Sequence, residues 1–493
     1  MYKPSLSEFR ALAEKGNVIP VYKELLADVE TPVSAFKKID DGEYSFLFES
    51  VEGGEKWARY SFLGVAPSLI FRVAGPQVII EKKGRRHAYP HNGDPLGELK
   101  KILNEYRPVA SGELPRFYGG AVGFFAFELA GYYETLPESR EEGFCGEDAV
   151  LMISDLVIIF DNEKHTLRIV ANSLVNDEDE IEDLYQEALE KIEGVIEKLR
   201  GDKRLSEISR RGDKVFVRAD TGPAEYREKV TKAKHYIEEG DVIQVVLARR
   251  FETDKVANEF DVYRALRLIN PSPYMFFLRL NELVMVGASP EVLVRLTDGV
   301  VELRPIAGTR KRGGDEKEDR RLVDDLLSDP KERSEHVMLV DLGRNDLAKI
   351  AEVGSVQVNE LMVVERYSHV MHLVSHIQAH LQKGKDGFEV IKAVLPAGTL
   401  SGAPKIRAME IIKELEPKRR GPYGGAVGYV GFNGNMDLCI AIRTIFFKEG
   451  KVYLQAGAGI VADSDPRKEL EEVDNKVKGM VAALELAAGG LEL

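Results

Sequence analysis

The chain has 493 residues, more than one ordinary compact core contains, so we expect two domains or one large composite domain. Its 82 acidic and 68 basic side chains give a net charge of -14, which argues against nucleic acid or an anionic membrane as a partner. Cys145 and Cys439 lie far apart without a metal-ligand spacing, and neither a secretion signal nor a membrane-spanning segment is recognisable, so we expect a cytoplasmic protein.

The predicted elements fall into two parts. Up to about Val170, short apolar runs alternate with glycine-rich breaks, a pattern typical of strands joined by turns. From Asp177, apolar residues recur at steps of three and four behind an acidic start, which predicts an amphipathic helix. Residues 201–222 are polar and aperiodic, so we interpret them as a linker between an N-terminal part, 1–200, and a C-terminal part, 223–493.

The C-terminal part is predicted to open with a helix, because Pro223 suits a first turn and Gly240 suits the position just after a last one. Residues 242–251 then alternate as a strand does. The apolar runs 274–280 and 283–287 are separated by two polar residues and predict a hairpin.

Two further segments with helical character each carry glutamates three residues apart, Glu332 with Glu335 and Glu469 with Glu472. On a helix, this spacing puts both carboxylates of a pair on one face. The second helix is predicted to bury an apolar stripe opposite its two glutamates; the stripe is Leu470, Val473, Val477 and Met480. Two such helices could hold one hard divalent cation, although exposed glutamates are the commoner explanation of any single pair.

Glycine-rich segments lie near both pairs, and their lack of side-chain bulk would let a ligand reach backbone amides. They are 305–310, 397–405, 421–426 and 455–459, and none has the spacing of a phosphate loop. Taken singly, each is more often an ordinary turn.

Two polar residues stand out beside these segments. Arg443 lies alone in an apolar run, where a substrate carboxylate or an internal salt bridge would satisfy it equally well. His372 could act as a general acid, but spacing does not choose between it and His369, His376 and His380.

Together and in this order, these residues resemble the chorismate-utilising enzymes, and among them the large subunits of anthranilate synthases. The resemblance covers nearly the whole chain and is most specific within 222–483. It implies an α+β fold, a large antiparallel β-sandwich of two sheets flanked by helices, with Mg²⁺ bridging the enzyme and chorismate.

The resemblance also implies residue roles. Glu335 and Glu472 would bind Mg²⁺, with Glu332 and Glu469 supporting them through water. His372 would protonate the departing C4 hydroxyl, and Thr399 would lie nearer the ring. The implied chorismate contacts are Gly308, Thr309, Tyr423, Arg443, Gly457, Ala458 and Gly459.

Two positions imply ammonia as the nucleophile, because Gln244 and Ala307 stand where related enzymes carry a lysine that activates water or attacks covalently. The implied reaction converts chorismate and ammonia to anthranilate and pyruvate through an aminodeoxyisochorismate intermediate. The alternatives are an aminodeoxyisochorismate synthase that retains pyruvate and a non-catalytic protein that binds tryptophan or chorismate.

A tryptophan feedback site is implied by the strings 47–50, 53–61 and 270–275, which are similar to the family's inhibitor element. Its expected residues are Ser50, Pro273, Tyr274 and Met275. A strand end and a helix stop would explain the same residues without a ligand. Neither cysteine lies in a Gly-x-Cys-x-Gly elbow, so glutamine-derived ammonia would come from a separate amidotransferase, in a heterotetramer of two large and two small subunits.

Overall fold

The computed structural model describes residues 1–51, 59–110, 112–176, 179–201, 214–367 and 370–491. The α-helices of this part are α1 (Leu6–Ala13), α2 (Pro32–Ile39), α3 (Pro95–Asn104), α4 (Ile181–Arg200), α5 (Pro223–Glu238), α6 (Glu259–Ile269), α7 (Glu316–Ser328), α8 (Pro330–Ala348), α9 (Gly387–Val394), α10 (Lys405–Leu415) and α11 (Pro466–Gly489). Short 3-10 helices span Phe127–Tyr132 and Gly398–Leu400. No helix of the described residues is long and apolar enough to cross a membrane.

The strands of the first half of the chain are β1 (Tyr2–Lys3), β2 (Val18–Leu26), β3 (Tyr44–Glu49), β4 (Tyr60–Val65), β5 (Leu69–Ala74), β6 (Gln77–Lys82), β7 (Arg85–Pro90), β8 (Gly120–Phe125), β9 (Glu147–Ser154), β10 (Leu156–Asp161), β11 (Thr166–Leu174) and β12 (Arg218–Ala219). Those of the second half are β13 (Gln244–Asp254), β14 (Tyr274–Leu280), β15 (Leu283–Ser289), β16 (Val292–Thr297), β17 (Val300–Leu303), β18 (Ile306–Lys311), β19 (Gln357–Arg366), β20 (Val370–His380), β21 (Gly402–Ala403), β22 (Ala426–Gly431), β23 (Met436–Ile440), β24 (Thr444–Lys448) and β25 (Lys451–Ile460).

The strands form two antiparallel sheets. In sheet A the order is β1-β2-β11-β10-β4-β3-β14-β15-β24-β25-β13-β12, with β21 beside β13. In sheet B it is β18-β20-β17-β16-β23-β22-β8-β9-β5-β6-β7, with β19 beside β20. Both sheets take strands from both sides of 202–213, a stretch of the expected linker that lies outside the described residues. The predicted α+β arrangement of two antiparallel sheets with helices is confirmed, while the domain boundaries stay a prediction.

Alternation along the strands separates two cores. In β14, Phe276 and Leu278 join the apolar core between the sheets, whereas Met275 and Phe277 pack with the helix-facing core of sheet A. Because both faces of this strand are buried, it reads as a continuous apolar run rather than an alternating one. The hairpin predicted from that run is confirmed, with Leu280 paired to Leu283 across its turn.

Candidate active site

A cleft of about 1260 Å³, counted to its open mouth, lies between α8, α11 and the inner face of sheet A. Most residues predicted to bind substrate or metal line it, namely Thr309, Glu335, His372, Thr399, Tyr423, Arg443, Gly457, Gly459 and Glu472. Gly308 lies beside it, with its carbonyl oxygen 3.1 Å from His372 Nδ1. Ala458 is buried with its side chain in the helix-facing core, which leaves only its backbone for a ligand.

Glycines shape the floor of this cleft on β25. A Cβ atom at Gly457 would lie 3.1 Å from the Tyr423 hydroxyl, and one at Gly459 would lie 2.3 Å from the Gln244 amide nitrogen. The absence of a side chain therefore lets Tyr423 and Gln244 lie directly against the strand.

Helices α8 and α11 carry the acidic side of the cleft, Glu335 on α8 and Glu469 and Glu472 on α11. Asp329 and Asp465 accept backbone hydrogen bonds at the starts of α8 and α11, and each helix has proline at its first position. Burial raises the pKa of Glu335, and the charges of Glu332 and Glu472 raise it further. Glu335 and Glu472, the two predicted metal ligands, therefore line one cleft and lie close enough for their charges to repel each other.

Glu469 was predicted to lie opposite the buried apolar stripe of α11, but the structure buries it. It is only 7% exposed, and burial raises its pKa, with Glu472 adding to the rise. Glu469, Val473 and Val477 recur every four residues and so share one stripe, which turns Glu469 inward rather than opposite the apolar residues.

Lysine and arginine side chains form ion pairs with glutamates on these two helices. Lys476 Nζ lies 2.8 Å from Glu472 Oε1 and donates to the Gly457 carbonyl oxygen at 2.8 Å. Glu332 is paired with Arg310 at 3.2 Å. Within the described ranges, no three His, Cys, Asp or Glu side chains are grouped closely enough to hold a metal ion. The oxygen donors and mutual repulsion of Glu335 and Glu472 nevertheless suit a hard divalent cation, whose other ligands would come from substrate and water.

His372 is placed by strand register, since it pairs with Thr309 across β18 and β20. Its Nδ1 donates to the Gly308 carbonyl oxygen at 3.1 Å and lies 3.0 Å from Thr309 Oγ1. Burial lowers the pKa of His372, so the imidazole is neutral at pH 7. Of the competing histidines, His376 pairs with Glu302 at 2.8 Å, and His369 lies outside the described residues.

Arg443 projects from the junction of β23 and β24, where its backbone has a left-handed φ of 50°. Burial lowers the pKa of Arg443, while the neighbouring Tyr423 and Glu472 raise it. In the part of the chain that the structure describes, Arg443 forms no ion pair, which leaves its guanidinium available for a ligand carboxylate.

Glu291 is a cleft residue that sequence reasoning missed. It follows Pro290 in the turn after β15 and is 8% exposed. Thr399 Oγ1 donates to Glu291 Oε1 at 3.2 Å, and burial raises the pKa of Glu291 to about 8. This carboxyl therefore carries a proton at neutral pH. A lone glutamate after proline looks like an exposed turn residue, so only its position between two strongly apolar strands hinted at burial.

A second cavity, about 460 Å³, lies between the sheets and is lined by all four residues expected to bind tryptophan. Phe48, Tyr429, Asp437 and Cys439 also line it, and the Tyr274 hydroxyl donates to Asp437 at 2.9 Å. Most of the expected string 53–61 lies outside the described residues. We call this cavity the inter-sheet pocket.

The sandwich, the arginine-bearing cleft and its acidic helices agree with the family resemblance. The family model described as chorismate binding enzyme matches residues 46–482. The chain belongs to this chorismate-binding enzyme family.

The chain is similar over its whole length to proteins named anthranilate synthase component 1. It is 47% identical to that of Aquifex aeolicus, over 98% of both chains, and 45% identical to that of Acetivibrio thermocellus, over 99% of both. Anthranilate synthase component I from Streptococcus pneumoniae has a TM-score of 0.78 at 35% identity, covering 93% of this chain and 99% of its own. The menaquinone-specific isochorismate synthase of Escherichia coli shares the fold, with a TM-score of 0.71 at 20% identity over 97% of this chain and 98% of its own. The resemblance stated from the sequence is confirmed.

Proposed function

We propose that this chain is the chorismate-converting subunit of an anthranilate synthase, a cytoplasmic lyase that makes anthranilate and pyruvate from chorismate and ammonia at the first step of tryptophan biosynthesis. The observation that carries the proposal is one cleft that combines a buried arginine, a protonated carboxyl and two acidic helices. The full-length similarity to proteins named anthranilate synthase component 1 supports it.

Chorismate carries two carboxylates, and the cleft offers a different binding surface for each. Arg443 and Tyr423 would bind the pyruvyl carboxylate, supported by the absence of an ion pair to Arg443 among the described residues. Glu335 and Glu472 would hold Mg²⁺ at the ring carboxylate. When bound, that ion would neutralise and polarise the carboxylate.

Ammonia would attack ring carbon 2 while the C4 hydroxyl departs as water, which requires a proton. Glu291 carries one at neutral pH, and Thr399 orients it. The Glu291 carboxylate left behind would then take the proton from carbon 2 as the ring becomes aromatic and the bond between the ring and the enolpyruvyl oxygen breaks. The released enolpyruvate would take up a proton at its methylene carbon to become pyruvate. His372 stays the sequence-based proposal for the first proton transfer, although its lowered pKa favours a neutral hydrogen-bonding role.

Ammonia would come from glutamine through a separate amidotransferase subunit, in the heterotetramer expected from the resemblance. The burial of both cysteines supports a separate subunit for glutamine hydrolysis. Both are buried, and burial raises the pKa of Cys145 to about 12, so neither is suited to be a glutaminase nucleophile.

Tryptophan would inhibit the enzyme from the inter-sheet pocket. Its apolar and aromatic lining suits an indole ring, and polar groups at Ser50 and Asp437 could meet an amino acid's charged end. Because this pocket and the cleft are separate cavities, inhibition would act by linkage rather than by competition for one site.

The deciding experiment incubates the purified chain with chorismate, Mg²⁺ and ammonium, and follows anthranilate by fluorescence and pyruvate by a coupled assay. We expect both products in equal amounts with ammonium and none with glutamine alone. An accumulating non-aromatic amino product would instead identify an aminodeoxyisochorismate synthase, and binding without turnover would identify a non-catalytic protein.

A further inference from the structure

The inter-sheet pocket and the chorismate cleft share a wall made of two chain segments, 288–291 and 439–443. The segments are joined by backbone hydrogen bonds, from Ile440 N to the Glu291 carbonyl oxygen at 3.0 Å and from Ala288 N to the Arg443 carbonyl oxygen at 3.2 Å. Cys439 lines the pocket, whereas Glu291 and Arg443 line the cleft. A displacement of Cys439 on the pocket side would therefore be transmitted to Glu291 and Arg443 on the cleft side.

Ser289 lies at the centre of the wall. It is fully buried and pairs across the strands with Tyr274, a pocket residue. Its hydroxyl lies 3.3 Å from the Glu291 carbonyl oxygen and accepts from Glu291 N at 3.4 Å. Burial raises the pKa of the Cys439 thiol and the Ser289 hydroxyl opposes that rise, which places the two side chains next to each other. One side chain that lines neither cavity thus contacts a lining residue of each.

The backbone on the cleft side of the wall is strained at Arg443. Arg443 has a φ of 50°, a left-handed conformation that strains a non-glycine residue and persists only when neighbours enforce it. The neighbouring Ala441 is fixed by donation to the Gly425 carbonyl oxygen at 2.9 Å. A shift of the segment that begins at Cys439 would therefore turn the arginine side chain.

We propose that Ser289 is a positioning residue that couples the inter-sheet pocket to the chorismate cleft. A ligand that displaces Cys439 moves the Ser289 hydroxyl, and with it the turn that holds Glu291. Chorismate binding then weakens, and by reciprocity chorismate weakens the ligand to the same degree. The inference rests on the proposed function, since it places tryptophan in one cavity and chorismate in the other.

The test compares Ser289→Ala with Ser154→Ala. Ser154 is a matched control, because it also ends a buried strand and its hydroxyl donates to the backbone carbonyl two residues on, at Leu156, 3.1 Å away. The measured quantity is the coupling factor, the fold-change in chorismate KM at saturating tryptophan relative to none. Calorimetry gives the tryptophan Kd of each variant without chorismate.

We expect Ser289→Ala to bind tryptophan within about twofold of the wild-type Kd while its coupling factor falls several-fold toward one, against a usual range of about 5 to 150. Ser154→Ala should keep the wild-type factor. Wild-type coupling in Ser289→Ala, or an equal loss in Ser154→Ala, would overturn the inference and leave the proposed function standing. Absence of tryptophan binding to the wild type would overturn the tryptophan site itself, and the coupling with it.

A second variant keeps the test decisive if Ser289→Ala does not fold. Cys439→Ala removes the other end of the bridge, so its coupling factor, corrected for its own tryptophan Kd, should fall to a similar level. Where both variants fold, their effects should be non-additive in the double variant, because they break one connection. Independent, additive losses would contradict a shared bridge.

Discussion

Replacing Glu291 with glutamine removes the ionisable group on which the proposed proton transfers depend. The side chain is 8% exposed, and burial raises its pKa from 4.5 to about 8; a hydrogen bond from Thr399 opposes that rise. The difference between those two values corresponds to about 5 kcal/mol in favour of the protonated form. Wild-type Glu291 is therefore mainly a carboxylic acid at pH 7 and a buried carboxylate at pH 9.

For activity, we expect kcat/KM for chorismate to fall about tenfold per pH unit above pH 8 in the wild type, because the proton donor is lost. Glu291→Gln should be slower by about 100-fold to 10,000-fold at pH 7, the usual contribution of a general acid or base, and its residual rate should not change near pH 8. Anthranilate fluorescence measures both, at a constant concentration of unprotonated ammonia. Glu282→Gln, in the exposed turn of the same hairpin, is the control.

The same ionisation has a stability consequence of defined sign. Because burial raises the folded-state pKa above the unfolded value, the protonated carboxyl's contribution is complete below about pH 4.5 and is lost as the pH rises to about 8. The wild type should therefore lose up to about 5 kcal/mol of unfolding free energy relative to Glu291→Gln across that window. Denaturant titrations of both proteins measure the difference. A difference independent of pH, or wild-type turnover by Glu291→Gln, would refute the reasoning.

Four further substitutions test the remaining assignments. Arg443→Lys should raise the chorismate KM about 10- to 100-fold, because lysine cannot bind a carboxylate bidentately, and an unchanged KM in initial-rate assays would contradict the contact. Ser50→Ala should abolish inhibition by tryptophan and spare turnover in the same assay; full inhibition would remove this residue from the site. Glu335→Gln and Glu472→Gln should each weaken binding of Mn²⁺ as a probe at least about tenfold by electron paramagnetic resonance, and wild-type affinity in either would exclude that carboxylate as a ligand.

Local elements of the fold could be predicted because local forces specify them. Helix α5 begins at Pro223 and ends before Gly240, whose φ of 85° suits glycine alone, and the β14–β15 hairpin turns at Asn281 with a φ of 62°. The sheets could not be derived this way. β3 pairs with β14, more than two hundred residues away along the chain, and no periodicity records that partnership.

The same limit applied to the site. Spacing placed Glu332 and Glu335 on one helix face but could not bring Glu335 to Glu472, and only the family resemblance joined them. Glu291 was missed because its raised pKa depends on burial within the folded protein, and its hydrogen-bond partner Thr399 lies 108 positions along the chain. The inward turn of Glu469, in contrast, was readable from its four-residue spacing to Val473.

The charges of the cleft explain how a chain with a net charge of -14 can receive a dianion. Three carboxylates that line it, Glu335, Glu469 and Glu472, are matched by three cations, Lys331, Arg443 and Lys476, while His372 and the protonated Glu291 add no charge at pH 7. The lining is therefore close to neutral, and chorismate alone would leave two uncompensated negative charges in a partly buried space. One divalent cation would restore the balance. Since Lys476 already contacts Glu472, that cation would have to displace the lysine, which is then free to meet the incoming substrate carboxylate. On this reasoning, metal and chorismate should bind with strong positive cooperativity, each weakly without the other.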